Sequence, residues 1–101
     1  DAKAIIVFTK TGKLLSMVTK NRPNIDIFAF TDSEEARRKV IACWSAFPFK
    51  MEFTSNFESM VHGAVKILKR NNFLVKGDRA VIVSDTSPGK NTDILEIIEI
   101  E

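Results

Sequence analysis

The sequence predicts an α/β fold: a three-layer sandwich around a mixed five-stranded sheet, with four parallel strands and an antiparallel C-terminal edge strand. Three observations predict it. Strand-length apolar runs alternate with segments of helical period, the pattern of right-handed β-α-β crossovers. Residues 4–8, and 80–84 up to the closing Ser84, are apolar in unbroken runs rather than alternating, as strands covered on both faces are. The last run, residues 94–100, follows the fourth strand through a short loop with no helix and sets Glu96 and Glu99 among isoleucines. Such a half-polar strand sits at a sheet edge and runs antiparallel to its predecessor.

Residues 4–8, Ala-Ile-Ile-Val-Phe, form the first strand, near the middle of the sheet. Gly12 and Lys13 open a helix carrying Leu14, Leu15 and Val18 on one side, and Asn21-Arg22-Pro23 ends it because proline cannot continue a helix. Residues 25–30 repeat the strand signature. Thr31-Asp32-Ser33-Glu34-Glu35 then supplies N-cap oxygens and first-turn carboxylates, and Ala36, Val40, Cys43 and Trp44 mark one face of a second helix. Residues 47–53 read as a short third strand, with Pro48 favouring an edge. Phe57, Val61, Ala64, Val65 and Leu68 make the apolar stripe of a third helix ending at Lys69-Arg70-Asn71. Lys76-Gly77-Asp78 is a turn, residues 80–84 are the fourth strand, and residues 85–90 are a polar loop.

The chain has 101 residues, 45% of them hydrophobic, with 15 Lys and Arg against 13 Asp and Glu, a net charge of +2. That length holds one domain over residues 1–101, read as cut from a longer polypeptide because a core strand starts three residues after a first residue that is not Met. The near-balanced charge argues against a nucleic-acid binder, and no apolar run nears the roughly 20 residues of a membrane span. A single cysteine, Cys43, excludes an internal disulfide and favours a reducing, cytoplasmic setting. No Cys/His cluster has metal-ligand spacing, and no Walker A, GxGxxG or nucleophile elbow occurs. His62 faces away from the apolar stripe and reads as solvated. Trp44 is either core or an interface anchor.

In a doubly wound sheet, ligands gather where the strand order reverses. If the fourth strand lies beside the first, that crevice falls between the loop of Thr9, Lys10, Thr11, Gly12 and Lys13 and the loop holding Thr86, Ser87, Gly89 and Lys90. Hydroxyl donors, a glycine that admits close backbone approach, three lysines and the N–H groups at a helix start all suit an anion such as phosphate. The alternative is that Thr-Lys-Thr-Gly is simply a good strand-to-helix turn.

The motifs together resemble the C-terminal α/β domain of pyruvate kinase over essentially the whole chain. They are the AIIVFTKTGK opening, NRP after the first helix, Thr31/Glu34/Arg38, Trp44/Pro48, the K-G-D turn, Pro88-Gly89 and Asn91-Thr92. The resemblance implies a domain with no catalytic residues or cofactor of its own. Phosphoryl transfer from phosphoenolpyruvate to ADP, with magnesium and potassium, belongs to a TIM-barrel domain of the same polypeptide. It further implies an allosteric site, with residues 9–13 around a sugar phosphate and residues 86–90 closing over it. It also implies a homo-oligomer contacting through the last strand and the helices, and neither nucleic acid nor membrane as partner. Two positions depart from the family. Leu14 stands where a hydroxyl often ends the loop, and Met60 where an Arg in some animal members clamps a second phosphate. A monophosphate effector, or a purely structural assembly domain with no effector, therefore stands beside the bisphosphate reading. Residues 94–100 either pair across a two-fold axis or use their glutamates to prevent such pairing.

Overall fold

The structure is a computed structural model that describes residues 2–10, 25–41, 46–84 and 94–101. In chain order it has β1 (Ala4–Phe8), β2 (Asp26–Thr31), α1 (Glu34–Ile41), β3 (Ala46–Lys50), α2 (Phe57–Arg70), β4 (Arg79–Ser84) and β5 (Ile94–Glu99). The helix expected from Lys13 onward, Cys43 and Trp44 lie outside the described residues. The sheet order is β3-β2-β1-β4-β5, with β5 alone antiparallel. The first strand is thus central, as its continuous apolar run requires: Ala4, Ile5, Ile6, Val7 and Phe8 are all buried.

Alternation along the central strands divides their side chains between two layers. Ile6, Phe8, Phe28, Phe30 and Ile82 join Met60, Ala64 and Leu68 of α2 in the larger core, while Ile5, Val7, Ile27 and Ala29 form the smaller one. Right-handed crossovers put α1 and α2 on opposite faces, because the chain moves outward from β1 to β3 and then back to β4. All eight phenylalanines belong to one network of ring contacts in the larger layer. Parallel register causes this: Phe28 lies opposite Phe47, Phe30 opposite Phe49, and Phe8 opposite Phe30.

Two expectations change. The third strand stops at Lys50 rather than Phe53. As an edge strand it pairs only with β2, whose last partner pair is Thr31 with Lys50, so no ladder remains beyond. The Met51 N–H still donates to Thr31 O at 2.8 Å, and Phe53 turns inward to an edge contact with Phe8, ring centroids 5.9 Å apart. The buried line of α2 is Met60, Ala64 and Leu68, whereas Phe57, Val61 and Val65 sit beside it half-buried. Position 60 therefore faces the core.

Local chemistry fixes the helix ends. Ser33 Oγ accepts from the Ala36 N–H at 3.1 Å at the start of α1, and Asn56 Oδ1 accepts from the Ser59 N–H at 3.1 Å at the start of α2. At the far end Asn72 takes φ 63°, a conformation asparagine tolerates, and the Phe73 N–H reaches back to Leu68 O at 2.9 Å. Asn56→Ala is expected to cost about 1 kcal/mol by chemical denaturation, while Asn56→Asp retains most of the stability. Equal losses in both variants would deny the cap its role.

The Lys76-Gly77-Asp78 turn clamps the other end of the sheet. Gly77 adopts φ 95°, its N–H donates to Ile100 O at 2.8 Å, and the Ile100 N–H donates to Asp78 O at 2.7 Å. The Val75 N–H donates to Asp78 Oδ2 at 2.9 Å, and Lys3 Nζ lies 3.3 Å from the same oxygen. The Val75 bond, the largest cause, and Lys3 hold the Asp78 carboxyl below its ordinary range against the opposing effect of desolvation. A pKa lower in the folded than in the unfolded chain makes this contribution complete at neutral pH. It is lost as pH falls below about 4 through the folded value. Asp78→Asn should accordingly flatten the acid limb of a melting-temperature profile below about pH 4, and an unchanged limb would exclude the carboxylate as a contributor.

Candidate functional site

β1 and β4 are parallel neighbours with Phe8 opposite Ser84, so the segments leaving their carboxyl ends start about 4.8 Å apart. The chain proceeds from β1 toward β2 and β3 on one side and returns to β4 on the other. The β1/β4 boundary is thus the point at which strand order reverses, where α/β sheets hold ligands. The adjacency on which the crevice depended is present.

Of the residues expected to form it, the described ones are Thr9 and Lys10. Thr9 is fully buried and its N–H donates to Phe30 O at 3.0 Å, which ties the root of the loop to β2. Lys10 is exposed at the next position. Thr11, Gly12, Lys13, Thr86, Ser87, Gly89 and Lys90 lie outside the described residues, as does Leu14. Three hydroxyl residues, Thr9, Thr31 and Ser84, occupy the carboxyl ends of β1, β2 and β4, all fully buried. Thr31 Oγ1 stands 3.4 Å from the carbonyl oxygens of both Ser33 and Phe49. The floor under the crevice is therefore polar but internally bonded, which favours a rigid base carrying variable loops.

Among the described residues no group of three or more His, Cys, Asp or Glu side chains is placed to hold a metal ion. No helix among them is long and apolar enough to cross a membrane. His62 is exposed, as expected. Arg37 pairs with Glu34 at 2.9 Å across one turn of α1, and Arg38 is exposed, so this basic run is a solvated helix face.

Two concavities escaped the sequence reading. An open groove of about 970 Å³ runs between α2 and β5, and a smaller hollow of about 470 Å³ lies among Asp32, Lys50, Met51, Glu52 and Phe53 at the carboxyl ends of β2 and β3. Neither had a linear signal. The groove joins side chains some 30 to 40 positions apart, and only the pairing of β5 with β4 brings them together.

The family described as pyruvate kinase, alpha/beta domain, matches residues 1–98. The chloroplastic pyruvate kinase isozyme A of Nicotiana tabacum is 33% identical over 85 residues, covering 84% of this chain and 14% of its own length. The pyruvate kinase of Dictyostelium discoideum is 33% identical over 105 aligned positions, covering 99% and 20%. That of Lactococcus lactis is 30% identical, covering 88% and 18%. In fold, a crystallised Cryptosporidium parvum pyruvate kinase in complex with ADP superposes with a TM-score of 0.85 over 99% of this chain and 20% of its own, at 24% identity. The chain thus spans at most a fifth of the length of these relatives. With the strand order, the edge strand and the motif series in agreement, the chain belongs to the pyruvate kinase family, as its C-terminal α/β domain.

Proposed function

We propose that this chain is the effector-binding and subunit-contact domain of a pyruvate kinase, taking a phosphorylated metabolite between the loops that follow β1 and β4. The observation that carries the reading is the in-register parallel pairing of β1 with β4, which starts both loops from adjacent strand ends at the switch point. In this reading Thr9, Lys10, Thr11, Gly12 and Lys13 wrap the phosphate, and Thr86, Ser87, Gly89 and Lys90 cover it. Positive charge from the lysines and the N–H groups of a helix start attract the ester dianion, while hydroxyls orient it. The parent polypeptide transfers a phosphoryl group from phosphoenolpyruvate to ADP in a TIM-barrel domain, where magnesium and potassium act. It works in the glycolysis of a reducing compartment, the cytoplasm.

The effector influences that distant reaction only through different affinities for two quaternary states, typically 1–3 kcal/mol, so the domain must also touch another subunit. β5 supports this second role. It is a sheet edge, and Ile97, 70% exposed, points away from the core. A purely structural assembly domain is the competing reading: Met60, which is buried, stands where the family resemblance implies a phosphate-clamping Arg in some members.

Thermal melts with fructose bisphosphate, glucose 6-phosphate, ribose 5-phosphate and AMP separate the two. A ligand present at about 100 times its dissociation constant stabilises by about 2.7 kcal/mol, which raises the melting temperature of a domain this size by some 10 °C or more. A flat response to all four at millimolar concentration leaves the structural reading standing.

A further inference from the structure

β3 is the last strand on its side of the sheet, so among the described residues one line of its backbone groups has no ladder partner. The hydrogen bonds identify the residues on that line. The Thr9 N–H donates to Phe30 O at 3.0 Å, so Phe30 faces β1 and its neighbour Thr31 faces β3. The Met51 N–H donates to Thr31 O at 2.8 Å, and the N–H and C=O groups of successive residues alternate sides along a strand. Phe47, Phe49 and Met51 therefore aim their backbone groups at β2, while Ala46, Pro48 and Lys50 aim theirs at the free edge.

The proline of β3 thus stands where its missing N–H removes nothing from the sheet. In register with Ala29, it lies in the middle of the strand and on the outward-facing line. The rest of β3 favours pairing. Phe47 and Phe49 are strong strand formers, stacked on Phe28 and Phe30, which fixes the strand against β2. Phe47 is 42% exposed, so an apolar ring lies beside the open backbone. An exposed apolar edge of this kind recruits a further strand unless a feature of the edge prevents it.

We propose that Pro48 closes this edge against a second copy of the chain. Symmetry defines the pairing that is excluded. Two copies meeting across a two-fold axis pair their β3 strands antiparallel, and an axis at the middle of the strand sets residue 48 opposite itself and Ala46 opposite Lys50. The two residues at position 48 then exchange both of the central hydrogen bonds. Proline donates neither, so two carbonyl groups are buried without donors at the centre of the new ladder, and the rings hold apart the strands that the outer pairs must bring together. Lys50, exposed on the same line, adds a charge. The opposite edge strand, β5, contains no proline, so the block belongs to β3 alone.

A proline that only stiffened the strand would act wherever its ring was tolerated, whereas one that closes the edge acts through the outward line alone. Position 50 is the next place on that line and supplies the test. The full-length protein carrying Pro48→Thr is compared with wild type by sedimentation at increasing concentration. The expected result is an assembly of at least about twice the wild-type mass, returned to the wild-type mass in the double variant Pro48→Thr/Lys50→Pro. Loss of the lysine charge works against that rescue, so the rescue is not electrostatic. In the wild-type protein, hydrogen exchange read residue by residue should show the Lys50 N–H exchanging on the order of 100-fold faster than the Phe49 and Met51 N–H groups. That readout needs no variant to fold. Pro48→Thr at wild-type mass, association that persists in the double variant, or a Lys50 N–H as slow as its neighbours overturns the proposal.

Discussion

Replacing Phe8 by alanine is expected to remove about 3–5 kcal/mol, the range for truncating a fully buried phenylalanine. Against the 5–15 kcal/mol of a typical domain, that brings the protein near its unfolding threshold. The reason is position. Phe8 ends the central strand, is fully buried, and lies 5.7 Å from the ring of Phe30, 5.9 Å from Phe53 and 6.1 Å from Phe57. Its removal opens a cavity joining β2, α2 and the segment after β3 at once, and strands held in a parallel ladder collapse poorly into such a space. Phe47 has comparable ring contacts, with Phe28 and Phe73 each at 5.3 Å, but is 42% exposed at the edge, so Phe47→Ala should cost less than half as much. Urea denaturation of the two variants decides the matter. Equal losses would mean that burial depth does not rank this network.

The second large effect is electrostatic. If a phosphate ester binds between the loops after β1 and β4, the double reversal Lys13→Glu and Lys90→Glu should weaken it by at least about 100-fold. Each charge-assisted hydrogen bond contributes roughly 1.5–3 kcal/mol, and 1.4 kcal/mol is a factor of ten. The control is Lys76→Glu, an exposed residue in the turn at the amino ends of the strands, the opposite end of the sheet. At physiological ionic strength the screening length is about 8 Å, so that charge is not felt in the crevice. Titration of whichever ester raises the melting temperature provides the measurement. A loss with Lys76→Glu equal to that of the double variant would reduce the effect to net charge and remove the assigned site.

How far the chain could be read depended on whether the signal was local. Continuous runs such as residues 4–8 and 80–84 announce strands covered on both sides, and they are β1 and most of β4. Ser33, within the capping segment 31–35, announces a helix start because a cap is a contact between residues three apart. The end of β3 was misplaced because it depends on where β2 stops, some 20 residues earlier. Met60 was not among the residues of the apolar stripe although it is buried, because burial there depends on how α2 rolls against the sheet. The candidate crevice was legible only on the condition that β4 lies beside β1, and the sheet meets that condition.

The sequence by itself determined the element types, the antiparallel edge strand, the turn at Gly77 and the family, since each is encoded in the spacing of nearby residues. Only the tertiary structure decided which side chains share a layer. Eight phenylalanines scattered from Phe8 to Phe73 become one ring network, and α2 and β5 enclose a groove between charged rims. The physical reason is that parallel pairing and helix docking are fixed by competition among long-range contacts for apolar area. That competition leaves no periodicity in the chain to read.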